Sequence, residues 1–321
     1  MQLPILEIGK LKPRYPIVQG GMAVRVSTAP LSGTVAKVGG VGVIGATGME
    51  EDELRREIRQ AKQLAEGGIV GINIMFAARK FKEMVHAALE EKIDVIFTGA
   101  GFSREIFGWG ESADVPIVSI VSSAKAALLA EKCGAAAVVS EGFEAGGHLG
   151  TERSVNEILP EIVAAVKIPV IAAGGIVDGA GMAEMFKMGA SGVQMGTRFV
   201  LSKECTVADE FKQAYLQAQE EDVVIIKSPV GFPGRPLYNT FIKQAETGIA
   251  SKADKCAACL KSCSHDYCIM RALVNSSEGK VDEGVIFAGK NVFKIKDILS
   301  VEEIFHQLLA DFEENCNTRA G

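Results

Sequence analysis

The chain has 321 residues, of which 48% are hydrophobic and 6% aromatic, and its formal net charge is -6 at pH 7. This length suits one large α/β barrel with an insertion, or two ordinary domains. The mild acidity and the lack of a dense Lys/Arg stripe argue against nucleic acid or an anionic membrane surface as a partner. The 35 glycines are typical of a protein whose strands end in sharp turns.

The first ten residues include an acidic residue and an early proline, which is not the pattern of a secretion signal. No apolar run reaches the roughly 18 residues that a bilayer-spanning helix needs. We therefore expect a cytoplasmic protein without a membrane or nucleic-acid partner, and we expect it to form a homodimer.

Short apolar runs alternate with segments of helical period over the first two thirds of the chain. The runs predict eight strands, at residues 17–20, 41–44, 69–75, 95–98, 116–121, 136–140, 169–172 and 192–195. Apolar strands alternating with helices indicate a parallel sheet, and eight such units predict a (β/α)8 TIM barrel. An open doubly wound sheet is the alternative, but the residues after the first strand lack the G-x-G-x-x-G pattern.

The alternation ends after the eighth predicted strand. Residues 1–200 are predicted to form the barrel, and residues 201–290 a mainly helical cap inserted over the carboxyl ends of its strands. Within the cap, residues 229–236 predict a turn because they are rich in proline and glycine. Residues 291–321 are predicted to pack back on the barrel through an amphipathic helix.

A histidine flanked by glycines follows the sixth predicted strand, within the sequence Glu141-Gly142-Phe143-Glu144-Ala145-Gly146-Gly147-His148. An imidazole at the carboxyl end of a barrel strand lies where active sites form, and glycines let the backbone approach a ligand closely. We predict that His148 is catalytic and donates or steadies a proton, the alternative being a buried structural histidine. Glu141 is a candidate to hydrogen-bond a cofactor, or else a simple cap.

Two more glycine-rich loops follow the seventh and eighth predicted strands. In TIM barrels these loops bind phosphate through backbone N–H groups and a hydroxyl, although two ordinary glycine turns would have the same sequence. Together with the glycines of the other strand ends, they predict a flavin mononucleotide (FMN) lying across the mouth of the barrel. The predicted FMN-binding residues are Gly21, Met22, Asn73, Glu141, Gly146, Gly147, Gly174, Gly175, Gln194, Gly196 and Thr197.

These segments, the last of which reads Gln194-Met195-Gly196-Thr197-Arg198-Phe199, form an ordered set with three others: Pro16-Ile17-Val18-Gln19-Gly20-Gly21-Met22, Gly71-Ile72-Asn73-Ile74-Met75 and Thr98-Gly99-Ala100-Gly101. Taken jointly, over about residues 13–240, they resemble the superfamily of nitronate monooxygenases (2-nitropropane dioxygenases) and flavin-dependent enoyl-ACP reductases II. The resemblance implies FMN as cofactor and NAD(P)H as co-substrate. It also implies a small-molecule or acyl-carrier-bound substrate.

Three details resemble the enoyl-ACP reductase branch: the Glu-Gly pair before the histidine motif, the Asn-Ile-Met strand end and the Thr-Gly-Ala-Gly turn. That branch implies ping-pong reduction of an enoyl thioester, in which NAD(P)H first reduces the flavin. The alternative is a nitronate monooxygenase, which oxidises alkyl nitronates with dioxygen. In that reaction His148 would position the nitronate.

Four of the seven cysteines lie close together, in the pattern Cys256-x2-Cys259-x3-Cys263-x4-Cys268. Four thiols within so short a segment can surround one metal centre, and a reducing compartment disfavours disulfides. We predict that these four residues are metal ligands of a [4Fe–4S] cluster. A structural Zn²⁺ ion is the first alternative, and four unligated thiols are the second.

Two further classes of protein remain as hypotheses. The chain would be a non-catalytic interaction module if the cysteine cluster docked a partner and the barrel were inactive, but the intact Gly-Gly-His motif argues against this. A purine-nucleotide dehydrogenase has similar phosphate loops, yet it needs a nucleophilic cysteine after the sixth strand. No cysteine occurs between Cys133 and Cys205.

Overall fold

The structure is a computed structural model that describes residues 2–250 and 256–317. The described residues form eleven strands: β1 Ile17–Gln19, β2 Val41–Gly45, β3 Ile69–Met75, β4 Val95–Gly99, β5 Ile117–Val121, β6 Ala137–Glu141, β7 Gly147–His148, β8 Val170–Ala173, β9 Gly192–Met195, β10 Ile226–Lys227 and β11 Pro233–Arg235. They also form twelve α-helices: α1 Ala29–Val38, α2 Glu51–Ala65, α3 Phe81–Glu90, α4 Glu105–Ala113, α5 Ala124–Lys132, α6 Val155–Ala165, α7 Gly179–Lys187, α8 Thr197–Val200, α9 Asp209–Gln217, α10 Thr240–Glu246, α11 Ile269–Ser277 and α12 Val301–Asn317. Within these ranges, no helix is both long and apolar enough to cross a membrane.

Eight strands of the described chain close into a parallel barrel in the order β1-β2-β3-β4-β5-β6-β8-β9. Closure occurs because β1 pairs with β2 on one side and with β9 on the other. This confirms the predicted TIM barrel, and each of the eight predicted strands lies within one residue of its predicted bounds. The prediction succeeded because strands that are buried on both faces have a largely apolar sequence.

The helices pack on the barrel through one apolar face each. In α2 the spacing of the apolar residues produces such a face. Leu54, Ile58 and Ala61 recur at helical spacing and are fully buried. Burying a leucine or isoleucine side chain stabilises a fold by about 1.5 to 3 kcal/mol. At the start of the helix, Glu50 and Glu53 form a capping box, which satisfies free backbone N–H groups.

Side chains alternate between the interior of the barrel and its helix-covered outside. The interior is filled by apolar residues such as Val43, Phe97 and Val139. Because successive strand residues point to opposite faces, Glu141 lies on the same interior face as Val139, one layer nearer the carboxyl end. The final interior layer therefore holds polar and small residues instead of bulky ones.

A second sheet, of three short strands in the described residues, joins the barrel to the cap in the order β10-β11-β7. In it His148 pairs with Gly234, and Gly147 pairs with Arg235. The sequence analysis assigned residues 229–236 to a turn, which is wrong for Pro233–Arg235, the residues of β11. The strand escaped prediction because it is very short and one of its two partners, β7, lies far away in the sequence.

The C-terminal helix α12 packs against α1 and α7. The ring of Phe305 lies 5.7 Å from the ring of Tyr15 and 5.9 Å from that of Phe199, and the ring of Phe312 lies 5.7 Å from that of Phe186. The domain boundaries at residues 200 and 290 stay a prediction.

Candidate active site

A cavity of about 270 Å³ lies at the carboxyl ends of the barrel strands, between the barrel and the cap. The residues predicted to bind FMN come from the carboxyl ends of five barrel strands, and the fold brings all of them together with His148 in the wall of this cavity: Gly21, Met22, Asn73, Glu141, Gly146, Gly147, Gly174, Gly175, Gln194, Gly196 and Thr197. Because parallel strands place their carboxyl ends at one edge, loops far apart in sequence meet there.

Glycines next to polar side chains leave the floor of the cavity open. A Cβ atom on Gly21 would lie 2.3 Å from the Cβ of Asn73, and one on Gly20 would lie 3.1 Å from the Cγ of Gln194. Side chains at these positions would displace the two amide groups. The glycines thus let two hydrogen-bonding amides line a flat space at the end of the barrel.

The first of the two predicted phosphate loops, after β8, has a backbone conformation that favours glycine. Gly174 has a φ of 117° and Gly175 a φ of 69°, in the left-handed region. Helix α8 begins at Thr197, whose Oγ1 accepts a hydrogen bond from the Gly289 N–H over 2.9 Å. Its hydroxyl hydrogen therefore remains available to an anion.

Asn291 supports the same loops from outside the barrel, and the sequence analysis missed it. Its side-chain amide donates a hydrogen bond to the backbone oxygen of Gly175 over 2.7 Å, and the residue also lines the cavity. An isolated asparagine after the cap carries no motif, so the sequence held no signal that would identify it.

The carboxyl group of Glu141 reaches the cavity without a counter-charge. Burial alone raises its pKa to about 7. At neutral pH a large fraction of the group is therefore protonated, and it can donate as well as accept a hydrogen bond. In the described chain, no hydrogen bond or ion pair engages this carboxyl, which suits a cofactor contact.

His148 approaches the cavity from β7. Its Nε2 atom lies 2.7 Å from the Ser228 hydroxyl, and its ring meets the Phe287 ring edge-on with the centroids 5.0 Å apart. Burial lowers the pKa of His148 to about 4, so the imidazole is neutral near pH 7. A neutral imidazole donates a hydrogen bond through one ring nitrogen only.

The cap supplies an apolar wall opposite the glycine-rich floor. Its residues come from α9, from α11 and from the chain after α11: Phe211, Tyr215, Ile269, Met270, Leu273, Val285 and Phe287. The sequence analysis did not assign any of them to the site. The spacing of Ile269, Met270 and Leu273 would have indicated one helical face, but such spacing equally indicates ordinary core packing.

The four cysteines do not form the predicted metal centre. Within residues 2–250 and 256–317, no group of three or more Cys, His, Asp or Glu side chains is arranged to hold a metal ion. Cys256, Cys259, Cys263 and Cys268 are all free thiols, and none of them lines the cavity. The predictions of a [4Fe–4S] cluster and of Zn²⁺ are therefore not supported.

Backbone docking explains the path of this cysteine segment, residues 256–268. The backbone oxygen of Cys259 accepts a hydrogen bond from the Arg79 N–H over 2.9 Å, and the Lys261 N–H donates to the oxygen of Ala77 over 2.9 Å. Cys259 itself packs against the apolar core of the cap, where burial raises the pKa of its thiol. The segment follows the loop after β3 instead of wrapping around a centre.

A TIM barrel with a glycine-lined cavity at its mouth and a histidine beside that cavity is typical of flavin-dependent TIM-barrel oxidoreductases. The residues present fit FMN, because they combine open backbone, amide groups and a free hydroxyl in one cavity. A sequence model named nitronate monooxygenase matches residues 6–87 and 69–311. The chain belongs to this family, and it is an enzyme of the oxidoreductase class. The family resemblance predicted from the motifs is confirmed.

Individual relatives carry different names. A 5-hydroxy-7a-methyl-1-oxo-octahydro-1H-indene-4-carboxyl-CoA dehydrogenase of Rhodococcus jostii is 33% identical over 73% of this chain, and the match spans 65% of that protein's length. A probable nitronate monooxygenase of Staphylococcus aureus is 31% identical over 72% of this chain and 77% of its own. The structure of FabK from Thermotoga maritima superposes with a TM-score of 0.86 and 30% identity, covering 96% of both chains.

Proposed function

We propose that this protein is an FMN-dependent NAD(P)H oxidoreductase that reduces an enoyl thioester by ping-pong transfer. The observation that carries the proposal is the wall opposite the phosphate loops: it consists of apolar cap side chains such as Phe211 and Leu273, and in the described chain no lysine or arginine side chain lines the cavity. The loops offer an anion backbone N–H groups, which this wall does not. An enoyl thioester is uncharged at its reacting end and carries an apolar acyl chain, whereas a nitronate is an anion. Burying an anion without a cation beside it costs much more than burying an apolar chain.

The names of two relatives support a thioester. The Rhodococcus protein is named for a carboxyl-CoA substrate. FabK is an enoyl-ACP reductase II. Both names describe thioesters of a large carrier, either coenzyme A or an acyl-carrier protein. We therefore propose a carrier-bound acyl group as the substrate class.

The cofactor would be held by two sets of groups. The backbone of Gly174, Gly175 and Gly196, with the Thr197 hydroxyl, would bind the phosphate. The amides of Asn73 and Gln194, with Glu141, would hydrogen-bond the polar edge of the ring; Glu141 would act in its protonated form, which its raised pKa favours. When bound, FMN would take hydride from NAD(P)H and pass it to the β-carbon of the enoyl group.

His148 would serve the substrate and not the cofactor. Because its imidazole is neutral at physiological pH, it would act as a hydrogen-bond donor to the thioester oxygen, and the proton for the α-carbon would come from solvent. Charge develops on that oxygen during reduction. A fixed donor beside it stabilises the transition state more than the ground state.

The apolar wall of the cap would hold the acyl chain. Leu273 and Phe211 face the cavity across from the glycine-rich floor, so a chain lying between them leaves water. Each buried methylene contributes about 0.8 kcal/mol to binding. Affinity for enoyl thioesters should therefore rise with chain length until the wall is filled.

Nitronate oxidation is the second candidate. It is supported by the name of the matching family model and by the name of the Staphylococcus relatives. In that case His148 would position the nitronate, and oxygen would replace the thioester as the electron acceptor.

Steady-state assays on Leu273→Asn test the proposal, with the exposed Leu128→Asn on α5 as the matched control. In the wild-type enzyme, NAD(P)H oxidation should depend on enoyl thioesters, and KM should fall as the acyl chain lengthens. Leu273→Asn should raise KM for a long chain about tenfold while changing KM for the crotonyl thioester little. Oxygen uptake with alkyl nitronates, and no NAD(P)H oxidation with any enoyl thioester, would show that the second candidate is correct.

A further inference from the structure

Arg235 of β11 is a buried cation that has no part in the cavity itself. Its side chain is only 4% exposed, and it is not among the residues that line the cavity. Within the described ranges no carboxylate forms an ion pair with it, and Glu144, whose charge acts on it from beyond ion-pair distance, bonds the Val155 N–H instead. Burying a charge without an opposite charge costs free energy, so hydrogen bonds to the guanidinium must offset that cost.

Those hydrogen bonds go to the loop that leads to His148, residues 142–146. The Nε atom of Arg235 donates to the backbone oxygen of Ala145 over 3.0 Å, and Nη2 donates to that of Phe143 over 2.5 Å. The guanidinium also lies over the Phe143 ring, with its Cζ atom 4.4 Å from the ring centroid. Because a guanidinium has only donors and a carbonyl oxygen only accepts, the direction of both bonds is fixed. The planar group thus holds two carbonyls of the loop at once.

The backbone of the same arginine holds the end of the loop. Arg235 pairs with Gly147, and its neighbour Gly234 pairs with His148. The loop needs such support because Gly146 and Gly147 precede the histidine, and glycine has more backbone freedom than any other residue. In particular, a Cβ atom on Gly147 would meet no atom within 4 Å, so packing around this glycine does not restrict it.

We infer that Arg235 is a positioning residue that fixes His148 against the substrate through the loop of residues 142–146. Since Arg235 does not line the cavity, its contribution to catalysis passes through the orientation of the imidazole. Misplacing a reacting group by about 1 Å can slow a reaction about a hundredfold. This catalytic consequence rests on the proposed function, whereas the hold on the loop does not.

Hydrogen exchange followed by mass spectrometry tests the hold on the loop without any substrate. In flavin-containing Arg235→Ala, the amides of residues 142–148 should exchange about tenfold faster or more, because two loop carbonyls lose their donors. Arg235→Lys should lie between this variant and the wild type, since an ammonium keeps the charge but not the planar fork. If Arg235→Ala does not fold, Arg235→Lys carries the test.

The control for the exchange experiment is Arg153→Ala. Arg153 flanks the same loop, but its side chain is 48% exposed and pairs with Glu161. Its removal should leave exchange of residues 142–148 at the wild-type rate. Unchanged exchange of these residues in the Arg235 variants, or equal acceleration in Arg153→Ala, would overturn the inference.

A double-mutant cycle tests whether Arg235 acts through His148. Stopped-flow reoxidation of the reduced flavin by an enoyl thioester is measured at saturating FMN for Arg235→Lys, His148→Ala and the double variant. Arg235→Lys alone should slow reoxidation about tenfold. In the His148→Ala background it should slow reoxidation less than about twofold, because the residue that it positions is gone. Flavin reduction by NAD(P)H should change little in every variant, because that step does not use His148.

The cycle separates positioning from a purely structural role. Losses that multiply in the double variant would contradict the inference, since a general loosening of the fold acts independently of His148. A wild-type enzyme that no enoyl thioester reoxidises would refute the proposed function instead. Hydrogen exchange then still decides the hold on the loop, and the same cycle with an alkyl nitronate and oxygen decides the positioning of His148.

Discussion

The mouth of the barrel and the cysteine segment of the cap both carry dense motifs, yet only the residues of the first lie together as predicted, in the wall of one cavity. The glycine loops stand at the ends of parallel strands, and barrel closure forces them together whatever lies between them in sequence. No pair of adjacent strands in the described residues holds the cysteines together in this way. Their path follows backbone hydrogen bonds to residues 77–79, and the thiols do not assemble into a group that holds a metal. A motif therefore predicts a site best when the fold fixes the geometry of its members.

The largest effect is expected at His148, in the wall of the barrel mouth. His148→Ala should slow reoxidation of the reduced enzyme by enoyl thioesters about a hundredfold to a thousandfold, because the hydrogen-bond donor to the thioester oxygen is lost. Stopped-flow measurement of both half-reactions checks this, and flavin reduction by NAD(P)H should be unaffected. His86→Ala, on α3, is the control. If His148→Ala instead unfolds the protein, the histidine is structural.

The glycine-rich mouth can be tested with two glycines of similar backbone. Gly147 has a φ of 84° and Gly67 a φ of 94°, and in both cases a Cβ would meet no atom within 4 Å, but only Gly147 lines the cavity. Alanine at either position should cost about 1 kcal/mol of stability from the left-handed φ. Only Gly147→Ala should also weaken FMN binding, by about 1 to 3 kcal/mol, or tenfold and more in Kd. Fluorescence titration of the two variant apoproteins with FMN measures the Kd of each. Equal Kd values for Gly147→Ala and Gly67→Ala would contradict the placement of the flavin in this cavity.

Glu141, which also lines the cavity, provides a pH-dependent test of the site. Its folded pKa of about 7 lies above the ordinary value of 4.5, so the carboxyl contributes stability below pH 4.5 that is lost as the pH rises through 7. Glu141→Gln replaces the carboxyl by an amide that does not ionise, so the variant does not lose this stability as the pH rises. The variant apoprotein should match the wild type near pH 4.5 and be more stable at pH 8 by about 1 to 3 kcal/mol. Urea unfolding at both pH values measures the difference, and a difference that does not vary with pH would contradict the buried, unpaired carboxyl.

The smallest effect is expected in the cysteine segment. Cys256→Ser and Cys263→Ser remove partly or fully exposed thiols that touch neither the cavity nor His148. Flavin content, melting temperature and activity should remain at wild-type values. Metal analysis of anaerobically purified wild-type protein is the sharper measurement: four irons or one zinc per chain would restore the metal centre that this structure does not form.

The comparison also explains how much of the molecule the sequence could predict. The eight barrel strands were predictable, because strands buried on both faces are rich in apolar residues. The glycine-rich loops were predictable, because left-handed φ values and close approaches of the backbone require glycine. Ser228 and Asn291 were not, since each is a common residue in a loop whose neighbour is far away in sequence. Their roles depend on the pairing of β11 with β7 and on the docking of the cap. Such contacts become visible only in three dimensions.

A single-turnover experiment tests the central claim, that this cavity reduces enoyl thioesters, most directly. The purified flavoprotein is reduced under nitrogen with a stoichiometric amount of NAD(P)H and then mixed with a long-chain enoyl thioester. The claim predicts that the oxidised flavin absorbance returns rapidly and that one saturated thioester forms per flavin. Reduced flavin that persists with every enoyl thioester, together with oxygen consumption by the oxidised protein and an alkyl nitronate, would contradict it.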